Sequence, residues 1–126
     1  MNIIETHAPA ITELAAYAHE TAVKHGFYDD YMELCEELMK ADAPLAAQAA
    51  QRDFVLAQLA KIGSEVGECV DVIQKKIDYD GLAEELSDIV IRTMDLTAFL
   101  GYDLGAHVAM KMAKNESRPY KHGKLC

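Results

Sequence analysis

The sequence predicts an all-α protein, and three observations predict it. Hydrophobic residues make up 51% of the 126 positions, with only seven Gly and three Pro, a composition that suits a compact helical chain. Ala, Leu, Glu, Lys and Met, the strong helix formers, are abundant, while β-branched runs are short. Apolar residues recur at spacings of three and four along the long central stretches, as in helices that bury one face. A chain of this length is expected to form one domain, residues 1–126.

The elements follow in order. Residues 9–25 are predicted as a first helix, with Pro9 at its start, Gly26 as its stop and Ile11, Leu14, Ala15, Ala18 and Ala22 as its apolar stripe. A second helix is expected from Asp29 or Asp30, as N-cap, to about residue 40, ending before Pro44. Residues 45–76 form one long pattern, with Val55, Leu59, Ile62, Val66, Cys69 or Val70, and Ile73 as the stripe. Residues 77–81 read as a turn. The next helix, 82–100, carries Leu82, Leu86, Ile89, Thr93, Leu96 and Leu100 and is stopped by Gly101. Asp103 caps a last helix to about residue 116 or 117, and Pro119 ends it.

Charge excludes some functions and suggests another. The net charge of −9 argues against coating a nucleic-acid polymer. All of the 21 acidic residues but Glu116 lie in residues 1–110, whereas Lys111, Lys114, Arg118, Lys121 and Lys124 cluster at the end. A cationic tail on an acidic body suits a small polyanion if metals cover the carboxylates, or it is a solvated tail answering an acidic surface. No apolar run approaches the ~20 residues that cross a membrane, and no secretion signal is visible, so a cytoplasmic protein is expected. Three cysteines without a C-x-x-C pair suggest neither disulfides nor structural zinc.

Residues 61–95 hold the chemistry. Glu65-Val-Gly-Glu68 and Glu85-Leu-Ser-Asp88 each place two carboxylates three residues apart, on one helix face. A wheel of about 100° per residue sets Glu65 and Glu85 on the shoulder of their apolar stripes, and Glu68 and Asp88 just outside. If a turn brings the two shoulders together, like charges repel unless a cation intervenes, and oxygen ligands of this kind suit a divalent ion. Either motif alone is ordinary solvated charge; the matched pair points to metal. Arg92 continues the second strip, to contact a phosphate or to pair with Asp88 or Asp95. Phe27 and Tyr28 are candidates for stacking on a nucleobase, against the commoner role of aromatics as core. His19-Glu20 lacks the second His of a zinc-protease helix, and residues 77–81 do not match a calcium loop.

Three segments in this order carry a family resemblance: S-E-V-G-E, E-E-L-S-D-I-V-I-R-T-M-D-L with its Gly-Tyr-Asp-Leu turn, and K-M-A-K-N-E-S-R-P-Y-K-H-G-K. Together, over about residues 51–124, they resemble the MazG-like all-α nucleoside triphosphate pyrophosphohydrolases, which include dCTP pyrophosphatases and dimeric dUTPases. The resemblance implies a helical bundle built on an antiparallel helix pair, oligomerising as a homodimer or homotetramer into a four-helix-type core. Residues 51–117 would be the catalytic core, 1–50 less typical N-terminal helices and 118–126 a basic tail. It implies magnesium, with manganese able to substitute, on Glu65, Glu68, Glu85 and Asp88. Lys111, Lys114, Asn115, Arg118 and Tyr120, with Arg92, would contact phosphate or sugar. The reaction implied is hydrolysis of an NTP or dNTP to the monophosphate and pyrophosphate, with Glu65 or Glu68 taking the proton of the attacking water. Ser64 stands where the family often has a further Glu, so the number of metals stays open, as does the preferred base. Two rivals remain beside it. A di-iron carboxylate bundle needs Glu-x-x-His pairs, which the chain lacks. A non-catalytic helical interaction module, derived from the same family, would use its acids only to bind a partner.

Overall fold

The computed structural model describes residues 2–123, and among them all the regular structure is helical: α1 (Ile3–Lys24), α2 (Asp29–Lys40), α3 (Pro44–Lys76), α4 (Tyr79–Phe99) and α5 (Leu104–Glu116), followed by a 3-10 turn at Tyr120–Gly123. Lys124 of the basic tail lies outside the described residues. No helix among the described residues is long and apolar enough to cross a membrane.

Local chemistry accounts for the ends, and it corrects the sequence reading at three of them. α1 begins six residues earlier than expected, because Asn2 and Glu5 form a reciprocal capping box, with Glu5 N–H donating to Asn2 Oδ1 at 2.9 Å. Pro9 therefore lies inside the helix, where it forgoes one backbone hydrogen bond. At α2 the N-cap position falls on Tyr28, not on Asp29 or Asp30 as expected, and no side chain caps it; the two acids sit in the first turn instead, where their charge favours the positive end of the helix. Pro44 opens α3 at a position where its missing N–H costs nothing.

The third correction is the α3–α4 turn. It has only two residues, Ile77 and Asp78, because Asp78 caps α4 by accepting the Gly81 N–H at 3.0 Å. Ile77 closes α3 in the left-handed region, at φ 49 and ψ 43, an unusual conformation for a β-branched residue. So short a link makes α3 and α4 antiparallel neighbours.

α4 is the central helix, packed against α3 and α1 and touching α5; α2 lies on α3, and α5 on α1. Five rings from four helices or their ends join the layers: His19, Tyr28, Tyr31, Phe54 and Phe99, with centroids 4.4–6.1 Å apart. Among the described residues the buried set is small: Ala15, Tyr28, Glu65, Cys69, Leu96 and Gly105. On α3 the covered face runs through Val55, Gln58, Ile62, Glu65, Cys69 and Val72, while Leu59, Val66 and Val70 of the expected stripe are about half exposed. The buried face is thus turned by about 90° from those uncovered residues.

α1 and α5 approach closely at Gly105. Thr12 Oγ1 accepts the Gly105 N–H at 2.9 Å and donates to Asp103 Oδ1 at 2.6 Å, and Asp103 caps α5 through the Ala106 N–H at 3.0 Å. A methyl group on Gly105 would collide with the Ala8 carbonyl. Gly105→Ala is therefore expected to lower stability by about 1–3 kcal/mol, as over-packing does, measured by urea unfolding at fixed protein concentration; an unchanged midpoint would show that the helices part freely.

Candidate metal centre and adjoining cavity

The antiparallel pairing brings three acids together. Glu65 and Glu68 on α3 and Glu85 on α4 each offer a carboxylate oxygen, all within 4.8 Å of one another. Burial falls from Glu65, 8% exposed, through the half-buried Glu85 to the exposed Glu68. Arg92, two turns beyond Glu85, donates from Nε to Glu65 Oε1 at 2.9 Å. This is an inter-helix pair, and it replaces the Asp88 or Asp95 partner that spacing along α4 suggests. The other oxygen, Glu65 Oε2, is sealed from solvent and receives no hydrogen bond.

Electrostatics follow from that crowding. Glu85 is pushed up to about 7, by desolvation first and then by Glu68 and Glu65. Glu65 is held below the usual carboxylate range, first by the adjoining Glu68 carboxyl and then by Arg92. Three acids in one site thus hold a proton near neutrality, as like charges at close quarters do. Cys69, buried one turn beyond Glu65, has its thiol raised by burial and then by Glu85 and Glu65; that disfavours the thiolate and suits a core residue.

The residues fit a small divalent cation. Oxygen ligands about 2.1 Å from one magnesium ion lie at most about 4.2 Å apart, so the present separation closes with small side-chain movements. A buried, unpaired carboxylate oxygen is the kind of atom that a cation would satisfy.

Beside this group opens a cavity of about 440 Å³, between α1, α3 and α4. Its wall includes Arg92 and Lys61, which lies one turn before Glu65, together with Gln58, His25, Phe27, Asp88 and Asp95. Asp88 stands outside the three-acid group, exposed on the cavity side. Phe27 is 70% exposed and keeps a ring face for a ligand. Tyr28 does not. It is buried among His19, Phe54 and Phe99, and its hydroxyl donates to Asp95 Oδ1 at 2.8 Å. Its role is in the core.

The tail residues stand apart from this site within one chain. Lys111, Lys114, Asn115, Arg118 and Tyr120 are exposed, and none of them lines the cavity or joins the acid group. α5 rests mainly on α1, which sets its cations away from the α3–α4 seam. The cations that do face the cavity, Lys61 and Arg92, were half legible: Lys61 shares a helix face with Glu65 and Glu68 at offsets of four and seven. Gln58, His25 and Asp95 carried no comparable signal. Comparison of the chain with protein-family models, curated proteins and solved structures finds no match.

The raised Glu85 has a definite sign in stability. Its protonated form is favoured by the fold, so its contribution is full below about 4.5 and is lost as pH rises through about 7. The Tm of the metal-free protein is expected to fall between pH 5 and 8, and Glu85→Gln to flatten that decline. Magnesium should restore Tm at pH 8 more than at pH 5, because it competes with the shared proton. A metal-free Tm independent of pH over this window would refute the shared-proton description.

Proposed function

We propose that the protein is a magnesium-dependent nucleoside triphosphate pyrophosphohydrolase of the MazG-like kind, cleaving an NTP or dNTP to the monophosphate and pyrophosphate. The observation that carries this reading is the three-carboxylate group with its unpaired buried oxygen, set beside a cavity walled by two cations and an exposed aromatic ring. The motif resemblance supplies the reaction type.

Glu65, Glu68 and Glu85 hold the cation in this reading, and Asp88, on the cavity side, completes or extends the set. Bound magnesium supplies neutralisation of phosphate charge and acidification of water, the usual contributions of such an ion. The chain supplies the rest. Arg92 spends its Nε on Glu65 and, with its side chain 42% exposed, offers further N–H groups to the triphosphate. Lys61 adds a point charge from the facing helix. Water attacks the α-phosphorus, the bond to the bridging oxygen breaks, and pyrophosphate carries the electron pair away. Glu68 is the better acceptor for the water proton, since Glu65 is engaged by Arg92 and is held a weak base. Phe27 stacks on the base.

The surface supports a homo-oligomer. The chain exposes 9434 Å², whereas a compact 13.9 kDa monomer exposes about 6,700 Å². The excess is of the order that obligate interfaces bury. Two apolar faces lie open: Leu56, Leu59, Val66 and Val70 on α3, and a groove of about 600 Å³ between α1 and α4, lined by Leu14, Tyr17, Leu86, Val90 and Ile91. Two faces suit a dimer or a tetramer.

Glu68→Gln should reduce pyrophosphate release by at least ~100-fold, the usual weight of a general base, with the helical CD signal intact. A screen of NTPs and dNTPs with coupled inorganic pyrophosphatase, with and without magnesium, reads this out, and silence from the wild type across all nucleotides would favour the interaction module instead. Light scattering should give a multiple of 13.9 kDa, falling to that mass in Val90→Glu; a monomeric wild type would remove the oligomer.

A further inference from the structure

We propose that Asp95 makes the cavity selective for nucleobases that carry an exocyclic amino group, and that His19 and Tyr28 position it for that task. This inference rests on the nucleotide reading above and names the substrate class within it.

Asp95 lies one turn beyond Arg92 on α4, on the wall of the cavity, with its side chain 16% exposed. Two donors reach the same oxygen: Tyr28 Oη at 2.8 Å and His19 Nδ1 at 2.9 Å, both to Oδ1. A carboxylate has no proton to give, so the His19 Nδ1 must carry one. Tyr28 stays a donor, because burial first and then Asp95 raise its phenol well above the usual value. The two rings meet edge to face at 4.8 Å, and Tyr28 is packed against Phe54 and Phe99. Both hydrogen bonds fall on Oδ1, which leaves Oδ2 as the acceptor that Asp95 can offer to a ligand in the cavity it lines.

An acceptor fixed in this way discriminates by what it cannot pair with. The amino groups of cytosine, adenine and guanine each present an N–H to a single oxygen. Uracil and thymine present carbonyl oxygens at that edge, and their one ring N–H is flanked by a carbonyl on each side, so a carboxylate that accepts it also meets two sets of lone pairs. Leaving a part-buried carboxylate against a carbonyl forfeits a hydrogen bond and adds repulsion. Phe27, which lines the same cavity, holds any base by its face and reads none of this.

The test compares the five common dNTP bases in wild type and Asp95→Asn. The expected kcat/KM for the best amino-bearing substrate exceeds that for dTTP and dUTP by at least ~10-fold, and the isosteric amide narrows the ratio to within about threefold. Equal rates in the wild type, or an unchanged ratio in Asp95→Asn, would overturn the selectivity while leaving the hydrolysis in place. Calorimetric binding of α,β-imido dNTP analogues with magnesium separates the other failure. A base preference in binding without turnover of any dNTP removes the reaction and keeps the selectivity; no binding removes both. Should Asp95→Asn fail to fold, Tyr28→Phe keeps the ring in its aromatic contacts and deletes one donor. It is expected to reduce the ratio two- to fivefold, and an unchanged ratio there overturns the positioning role.

Discussion

A carboxylate buried between two helices is the constraint on which the rest of this structure depends. Glu65 sits in the covered face of α3, with Glu68 and Glu85 beside it. An ionised group so placed is costly unless it is paired and hydrogen-bonded. Arg92 satisfies one oxygen, and in doing so it ties α4 to α3 across the seam. The same two helices are joined by a link of two residues, Ile77 and Asp78, whose left-handed backbone and capping side chain leave little slack. The second Glu65 oxygen stays unpaired. The fold therefore keeps an unmet demand for positive charge, and it keeps it at the edge of a cavity. Structural cost and chemical potential are the same feature here.

The other side of α4 is held by different means. His19, Tyr28 and Asp95 form a polar knot within the aromatic cluster, tying α1 and the start of α2 to α4. Thr12 and Gly105 let α5 approach α1 at backbone distance. These ties are local and directional, because the hydrophobic core of one chain is thin. Much of the apolar surface points outwards in two separate faces. Burial within the chain positions the carboxylates and the cavity; the remaining apolar area is left for an interface. Phe27 belongs to neither group. Gly26, at φ 83, turns the chain so that Phe27 faces the cavity while its neighbour Tyr28 enters the core.

Most of the helical plan was legible. Asp103, Gly101 and Pro44 act where their chemistry places them. Where an end differs from expectation, a competing local signal is the stronger one. Pro9 suggested a helix start, but Asn2 with Glu5 three residues later is a better one. Gly81 suggested a turn, yet its N–H is the group that Asp78 caps. On α3, two apolar stripes overlap, and periodicity alone could not tell the covered face from the open one, since Leu59 and Val66 are as apolar as Val55 and Ile62. Glu65 consequently lies deeper than its position beside the combined stripe suggested.

The sequence by itself determined the helices, their caps and the two acidic pairs, because hydrogen bonds four residues apart and side chains three or four apart are local properties of the chain. It also determined that Glu65 and Glu68 share a face, and that Glu85 rides near them if the helices fold back. Only the tertiary structure decided which acids meet. Glu65, Glu68 and Glu85 converge, Asp88 turns to the cavity, Arg92 crosses to Glu65, and the tail cations stay with α5 against α1. Those outcomes depend on how far each helix is rotated when it packs and on how short the link between α3 and α4 is. Rotation of a helix about its axis is set by the side chains of its neighbours, and no local pattern along the helix carries that information.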